Sequence, residues 1–202
     1  MSKKHASDKT PSKEMDSTAP VQKEPVLSVM SGMFIVLITV VMDIAITRYI
    51  LNKWSNLTVD FNYMIYETAI TVICSAGLVV FLNFIRVSEA CEKAQSADEF
   101  PCGGPFGFLA GNPIILWIEV SIIMGILFTG FNGLLFKLLG FASWSTLLFF
   151  IYKFVYCLIM VIAIHWAVLG RMLQPDWLNQ KIQEKRTDKV QERHAPINKN
   201  KR

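Results

Sequence analysis

Four long apolar stretches dominate this chain, at about residues 26–51, 62–85, 113–136 and 141–169. Each is long enough to cross a hydrocarbon core, which needs about 20 helical residues. Continuous apolar runs without strict alternation favour helices, because a backbone in lipid must satisfy its own hydrogen bonds. The sequence therefore predicts an all-α integral membrane protein, built as an antiparallel bundle of four transmembrane helices.

The rest of the chain is polar. Residues 1–25 have no apolar segment and are rich in Lys, Ser, Thr and Pro, which predicts a disordered cytoplasmic tail. Residues 26–170 form the predicted membrane domain, and residues 171–202 form a charged tail that is partly helical. Because 52% of the residues are hydrophobic and no signal peptide is recognisable, we expect one membrane domain with two tails.

The positions of Lys and Arg predict the orientation of the chain, since cytoplasmic loops and tails carry an excess of these residues. Of the 20 Lys and Arg residues, 16 lie in the two tails and in the loop between the second and third spans. Both termini are therefore predicted to be cytoplasmic. This distribution accounts for the net charge of +4 without a basic folded surface, so we expect no nucleic-acid partner. The choice between plasma membrane and endomembrane stays open.

The longest loop, Arg86 to Pro105, is predicted to lie on the cytoplasmic side. Its end overlaps the glycine-rich segment Gly103 to Gly111. The glycines at 103, 107 and 111 have the spacing of a helix-packing face, but Pro105 interrupts them. We therefore expect a flexible interfacial approach there, followed by a helix that Pro113 begins.

The cysteines predict no structural disulfide, because Cys74 and Cys157 lie within spans and Cys91 and Cys102 lie in the inner loop. Cys91 stands beside a helix end and is a candidate site of S-acylation. Asn56, in the outer loop, matches the pattern of a glycosylation acceptor.

Ionisable residues inside the predicted spans are the most unusual chemistry of the chain. They are Asp43, Arg48, Glu67, Glu119, Lys153 and His165. A central charge costs about 2.5–3.5 kcal/mol on insertion scales, so such residues usually face the bundle interior and meet a partner. Their depths predict three pairs, namely Asp43 with Lys153, Arg48 with Glu67, and Glu119 with His165. Such pairs would fix helix register, and the alternative is a proton or ion path.

The tail from Pro175 is helix-like, with Asp176 placed to cap it. Trp177, Leu178 and Ile182 would touch the bilayer or the bundle. The mixed charges predict a solvated helix, and the alternative is a surface that binds a protein.

The topology resembles that of MARVEL-type proteins, which have four helices, short loops and both tails inside. The resemblance covers topology and size only, and no sequence motif accompanies it. Claudins and tetraspanins resemble the chain in span number, but their cysteine-bearing outer loops have no counterpart here.

The function expected from the sequence is non-enzymatic. The chain lacks a His/Glu metal cluster, a nucleophile elbow, a phosphate loop and paired redox cysteines, so we expect no cofactor and no metal. It would act as a scaffold, a membrane-organising or trafficking factor, or an accessory subunit. Its partners would be the lipid bilayer, other membrane proteins or a second copy of itself. The main alternative is a small ion-coupled or proton-coupled transporter or channel subunit that uses the intramembrane charges.

Overall fold

The computed structural model describes residues 29–53, 60–101, 103–139 and 146–194. Within these ranges the chain forms α-helices and one short 3-10 turn, with no strand, which confirms the all-helical prediction for this part. The elements are α1 (Val29–Lys53), α2 (Phe61–Lys93), the turn Ala97–Glu99, α3 (Pro113–Leu139), α4 (Thr146–Met172) and α5 (Pro175–His194). The predicted disordered tail and Asn56 lie outside the described residues.

Four of these helices are long and apolar enough to cross a bilayer. The apolar segments are Ser31–Tyr49, Phe61–Lys93, Pro113–Leu138 and Leu147–Met172. One boundary differs from the sequence analysis, because α2 continues to Lys93 where a loop was expected from Arg86. Val87, Ala90 and Cys91 are buried on this last part of α2. Their packing extends the helix beyond its apolar stretch.

Side chains at the start of α2 and α3 explain where these helices begin. The Asp60 carboxylate accepts a hydrogen bond of 2.9 Å from the backbone N–H of Tyr63. Asn112 accepts one of the same length from the N–H of Ile114, and Pro113 occupies the first helical position. Both caps satisfy backbone donors that have no partner inside the helix. The prediction that Pro113 begins the third long helix is confirmed.

Helix α2 lies at the centre of the fold and packs against α1, α3, α4 and α5. Helix α4 also contacts α1, α3 and α5, whereas α1 and α3 do not touch each other within the described ranges. The core is correspondingly built from α2 and α4, with Val72, Val79, Met160 and Ile164 fully buried. Polar side chains on the inner faces of these two helices therefore reach partners on either flanking helix.

The glycine-rich segment before α3 packs closely on the end of α4. A Cβ atom on Gly103 would lie 2.9 Å from the carbonyl oxygens of Gly170 and Leu173. A Cβ atom on Gly170 would lie 2.8 Å from Cδ2 of Phe106. The expectation of a flexible interfacial approach is therefore wrong. The glycines permit a backbone contact that the sequence could not reveal, because the other half of the contact lies more than sixty residues away.

We predict that Gly103→Ala lowers the free energy of unfolding by about 1–3 kcal/mol, because backbone atoms must move to admit the methyl group. Titration of the purified protein in mixed micelles with a denaturing detergent measures this change. Gly125→Ala in α3 is the matched control, since nothing lies within 4 Å of its Cβ position. The control should be as stable as the parent or more stable, because Ala favours a helix over Gly. Equal effects of the two substitutions would contradict the packing argument.

Candidate functional site

An ion pair between α2 and α4 lies at the centre of the buried polar residues. The ammonium of Lys153 contacts Oε1 of Glu67, and Lys153 is only 1% exposed. Lys153 also donates a hydrogen bond of 2.7 Å to Oγ1 of Thr71, which in turn donates one of 2.9 Å to Glu67. Thr47 of α1 adds a longer hydrogen bond of 3.3 Å to the same carboxylate oxygen. Three side chains, one from each of α1, α2 and α4, thus meet at one carboxylate.

A second carboxylate lies beside this ion pair. Ser75 of α2 donates a hydrogen bond to Oδ2 of Asp43 on α1, and both residues are buried. Lys153 also attracts Asp43 electrostatically. We refer to Asp43, Glu67, Thr71, Ser75 and Lys153 as the polar cluster. It contains two carboxylates and one ammonium, and it links α1, α2 and α4.

Two of the three predicted pairs involve this cluster, and both need correction. The predicted pair of Arg48 with Glu67 is wrong, because Lys153 takes that position and Arg48 lies exposed on α1. The predicted pair of Asp43 with Lys153 is replaced by the bond from Ser75, although the two charges remain close enough to attract. The sequence gives the depth of each charged residue along its helix. The partner of that residue also depends on how each helix is rotated about its axis, which the sequence does not show.

The third predicted pair, Glu119 with His165, is also wrong. The amide of Asn83 lies 3.1 Å from Nδ1 of His165, and it also donates to the carbonyl of Val79 at 2.9 Å. Glu119 instead accepts a hydrogen bond of 2.6 Å from the backbone N–H of Ala110. His165 therefore joins α4 to α2, while Glu119 fastens the glycine-rich segment to α3.

Neutral polar residues extend the cluster towards α3, and none of them was predicted as a partner from the sequence. Asn132 donates a hydrogen bond of 2.8 Å to Thr68, the residue after Glu67, and it accepts one from the hydroxyl of Tyr152. Asn132 and Thr68 are both buried. A search for charges passes over such residues. The signal that was present is the amide of Asn132 within a mostly apolar helix, where a buried polar group needs a partner.

A second polar set fixes the α5 end of the bundle. Arg171 at the end of α4 donates to the carbonyl of Leu109 at 2.6 Å and pairs with both carboxylate oxygens of Asp176 at 3.1–3.2 Å. The indole of Trp177 donates to the carbonyl of Gly111 at 2.8 Å. The hydrogen bonds from Arg171 hold the pKa of Asp176 below its ordinary value. Arg171 therefore ties the glycine-rich segment, α4 and α5 together.

One face of α5 is buried, contrary to the expectation of a solvated helix. Trp177, Leu178 and Ile182 are each at most 3% exposed and belong to the main core. Further along α5, Lys185 pairs with Glu92 of α2 at 2.8 Å, and this hydrogen bond raises the pKa of Lys185. Of the two predicted contacts for these apolar residues, the bilayer or the bundle, the structure shows the contact with the bundle.

The docked α5 also changes the setting of Cys91. Its thiol is 2% exposed and lies near Lys181 and Lys185 of α5. S-acylation of Cys91 would therefore require α5 to move, and the modification itself stays a prediction. Cys74 and Cys157 are also free thiols. Among the described residues, no group of three His, Cys, Asp or Glu side chains is arranged to hold a metal ion.

The fold and the polar cluster define a class of protein. In the part of the chain that the structure describes, it is all-helical, with four helices long and apolar enough to cross a bilayer that are joined inside by ionic and neutral polar contacts. No protein-family model matches the chain, and no curated protein or solved structure matches it. Function must therefore be inferred from the chemistry of its own residues.

Proposed function

We propose that the protein is a multi-pass membrane protein whose four long helices form an antiparallel bundle with both termini in the cytoplasm. The order of contacts supports the alternating directions. Asp43 and Thr47 of α1 meet Ser75 and Glu67 of α2 in reversed order, and Thr68 of α2 meets Asn132 of α3. The excess of Lys and Arg in the tails and inner loop supports the orientation.

We further propose that the protein has a non-enzymatic role as a scaffold, a membrane-organising or trafficking factor, or an accessory subunit of a membrane complex. The observation that carries this proposal is the internal pairing of the polar cluster. Lys153 bonds to Glu67 and Thr71 within the bundle, and Ser75 bonds to Asp43. Groups paired in this way stabilise one register of the helices, since any other register strands a charge in lipid.

Helix α5 supplies the second part of this argument. A scaffold needs an outward surface that is held firmly on its membrane domain. The buried face of α5 is anchored by Trp177 and Arg171, while exposed polar residues such as Gln183 and Asp188 lie on the rest of the helix. These exposed residues form the surface that we expect to meet other proteins on the cytoplasmic side.

Proton-coupled transport is the second candidate function, and one observation favours it. The polar cluster places Asp43 and Glu67 around the single ammonium of Lys153. Two carboxylates and one ammonium are neutral only when the set holds one further proton. Buried carboxylates of this kind are components of proton paths in membrane proteins.

A flux measurement separates the two functions. The protein and the double variant Glu67→Gln/Lys153→Met are reconstituted in vesicles that contain a pH-sensitive dye, and proton entry is driven by a pH gradient. Under the scaffold proposal, neither protein raises proton entry above that of protein-free vesicles, and gentle purification recovers the same associated proteins with both. Proton entry that the parent supports and the folded double variant loses would overturn the scaffold proposal in favour of transport.

A further inference from the structure

A groove runs along the surface between α1 and α4 at the α5 end of the bundle, and we name it the α1–α4 groove. Its volume is about 720 Å³, within the range of about 300–1,000 Å³ that is typical of small-ligand sites. Most of its wall is apolar, with Phe34 and Leu37 on α1 facing Leu158 and Ile162 on α4. These side chains are exposed on the bundle surface, so the groove opens sideways, towards the region that lipid would occupy.

The groove has a polar end, which Gly32, Arg86 and His165 form. Nη1 of Arg86 and Nε2 of His165 each lie 3.2 Å from the position that a Cβ atom on Gly32 would take. The guanidinium from α2 and the imidazole from α4 therefore converge on one point beside α1. A methyl group on residue 32 would crowd both side chains, so the glycine keeps this point open.

The hydrogen bond of His165 determines which of its ring nitrogens carries the proton that faces the groove. The Asn83 amide approaches Nδ1 at 3.1 Å, and an amide nitrogen is a donor, so Nδ1 accepts. The neutral ring then carries its proton on Nε2, the atom that lies beside Gly32 and Arg86. The polar end thus presents N–H donors and a guanidinium that is always charged. Anionic oxygen atoms are the groups that such donors bind best.

We propose that the α1–α4 groove binds one anionic phospholipid of the surrounding membrane. The phosphate would lie at Arg86 and His165, and an acyl chain would lie along Phe34, Leu37 and Ile162. Charge complementarity selects an anionic headgroup, and the apolar walls and sideways opening select a lipid over a free anion. Basic pockets between transmembrane helices on the cytoplasmic side are known to bind anionic headgroups.

The depth of the polar end agrees with this occupant. Arg86 precedes the end of α2 by seven residues, and His165 precedes the end of α4 by seven, which corresponds to roughly 10 Å of helix. The headgroup would therefore lie near the cytoplasmic ends of the helices and the acyl chain towards the bilayer centre. This inference rests on the membrane insertion proposed above. Release of the protein from membranes by alkaline carbonate would refute membrane insertion. The lipid test uses only protein that resists this treatment, so a negative result there would refute the lipid site alone.

The test titrates delipidated protein in detergent with dioleoylphosphatidylglycerol or dioleoylphosphatidylcholine and counts retained lipids by native mass spectrometry. We expect one retained phosphatidylglycerol, with phosphatidylcholine binding at least about tenfold more weakly. Arg86→Gln should weaken phosphatidylglycerol binding by about the same factor. Lys93→Gln, at the exposed end of the same helix, should leave it unchanged. Equal retention of the two lipids, or undiminished binding by Arg86→Gln, would overturn the proposal.

A second pair of variants keeps the proposal testable if Arg86→Gln fails to fold. Ile162→Trp fills the groove from its apolar wall and leaves Arg86 and His165 unchanged in sequence. Ile159→Trp, on the same helix, does not line the groove, and the two isoleucines are similarly exposed, at 51% and 58%. Ile162→Trp should abolish retention of the single phosphatidylglycerol, whereas Ile159→Trp should preserve it. Equal retention by the two variants, or equal loss, would place the lipid elsewhere and refute the site.

Discussion

Lys153→Met is expected to destabilise the protein strongly, by about 3–5 kcal/mol. The substitution removes the ammonium that pairs with Glu67 and leaves that carboxylate, only 10% exposed, with the hydroxyl groups of Thr47 and Thr71 as its partners. Methionine has nearly the same length, so packing changes little and the effect isolates the charge. Unfolding of the purified protein in mixed micelles by a denaturing detergent measures the loss.

Two further variants identify the cause of this loss. Glu67→Gln/Lys153→Met removes both charges at once and should recover most of the lost stability, because no unpaired ion remains. Lys137→Met removes an exposed Lys from α3 and should change the stability by less than about 0.5 kcal/mol. If the double variant were as unstable as Lys153→Met alone, pairing with Glu67 would not be the role of Lys153.

Trp177→Ala is expected to release α5 from the bundle at a cost of about 3–5 kcal/mol, the usual range for truncating a buried Trp. The side chain is 3% exposed, packs edge to face on Phe84, and donates to the carbonyl of Gly111. Its removal leaves both a cavity and an unpaired carbonyl where the glycine-rich segment meets α5. The substitution therefore breaks the link between the four long helices and α5.

The reactivity of Cys91 reports this release directly. A water-soluble maleimide should label Cys91 slowly in the parent protein, because the thiol is buried near α5. In Trp177→Ala the rate should rise about a hundredfold or more, since each 1.4 kcal/mol of easier opening is about a factor of ten. Val190→Ala, on the exposed face of the same helix, is the control and should leave the rate unchanged. Unchanged labelling of Cys91 in Trp177→Ala would show that α5 does not depend on this anchor.

The number of long helices and the residue that begins α3 were predictable, because both depend on local properties. An apolar run of sufficient length is visible in the sequence, and within a helix a proline such as Pro113 is tolerated well only in the first turn. The far end of α2 was not predictable in this way. Residues 86–93 look like a polar loop, and they are helical because Val87, Ala90 and Cys91 are buried in the fold.

The residues of the candidate site were partly predictable, but their partners were not. Asp43, Glu67 and Lys153 stood out as charges in apolar segments, and all three belong to the polar cluster. Arg48 stood out equally and lies on an exposed face. Ser75 and Thr71 carried no distinguishing signal, since small hydroxyl residues are common in such helices.

The sequence alone determined that this chain forms long apolar helices with charges inside them, because length, hydropathy and the positions of Pro are properties of consecutive residues. Only the tertiary structure decided that Lys153 bonds Glu67, that His165 and Arg86 converge beside Gly32, and that α5 covers Cys91. The physical reason is that these contacts depend on the rotation of each helix about its axis. That rotation is fixed by close packing between residues far apart in the chain.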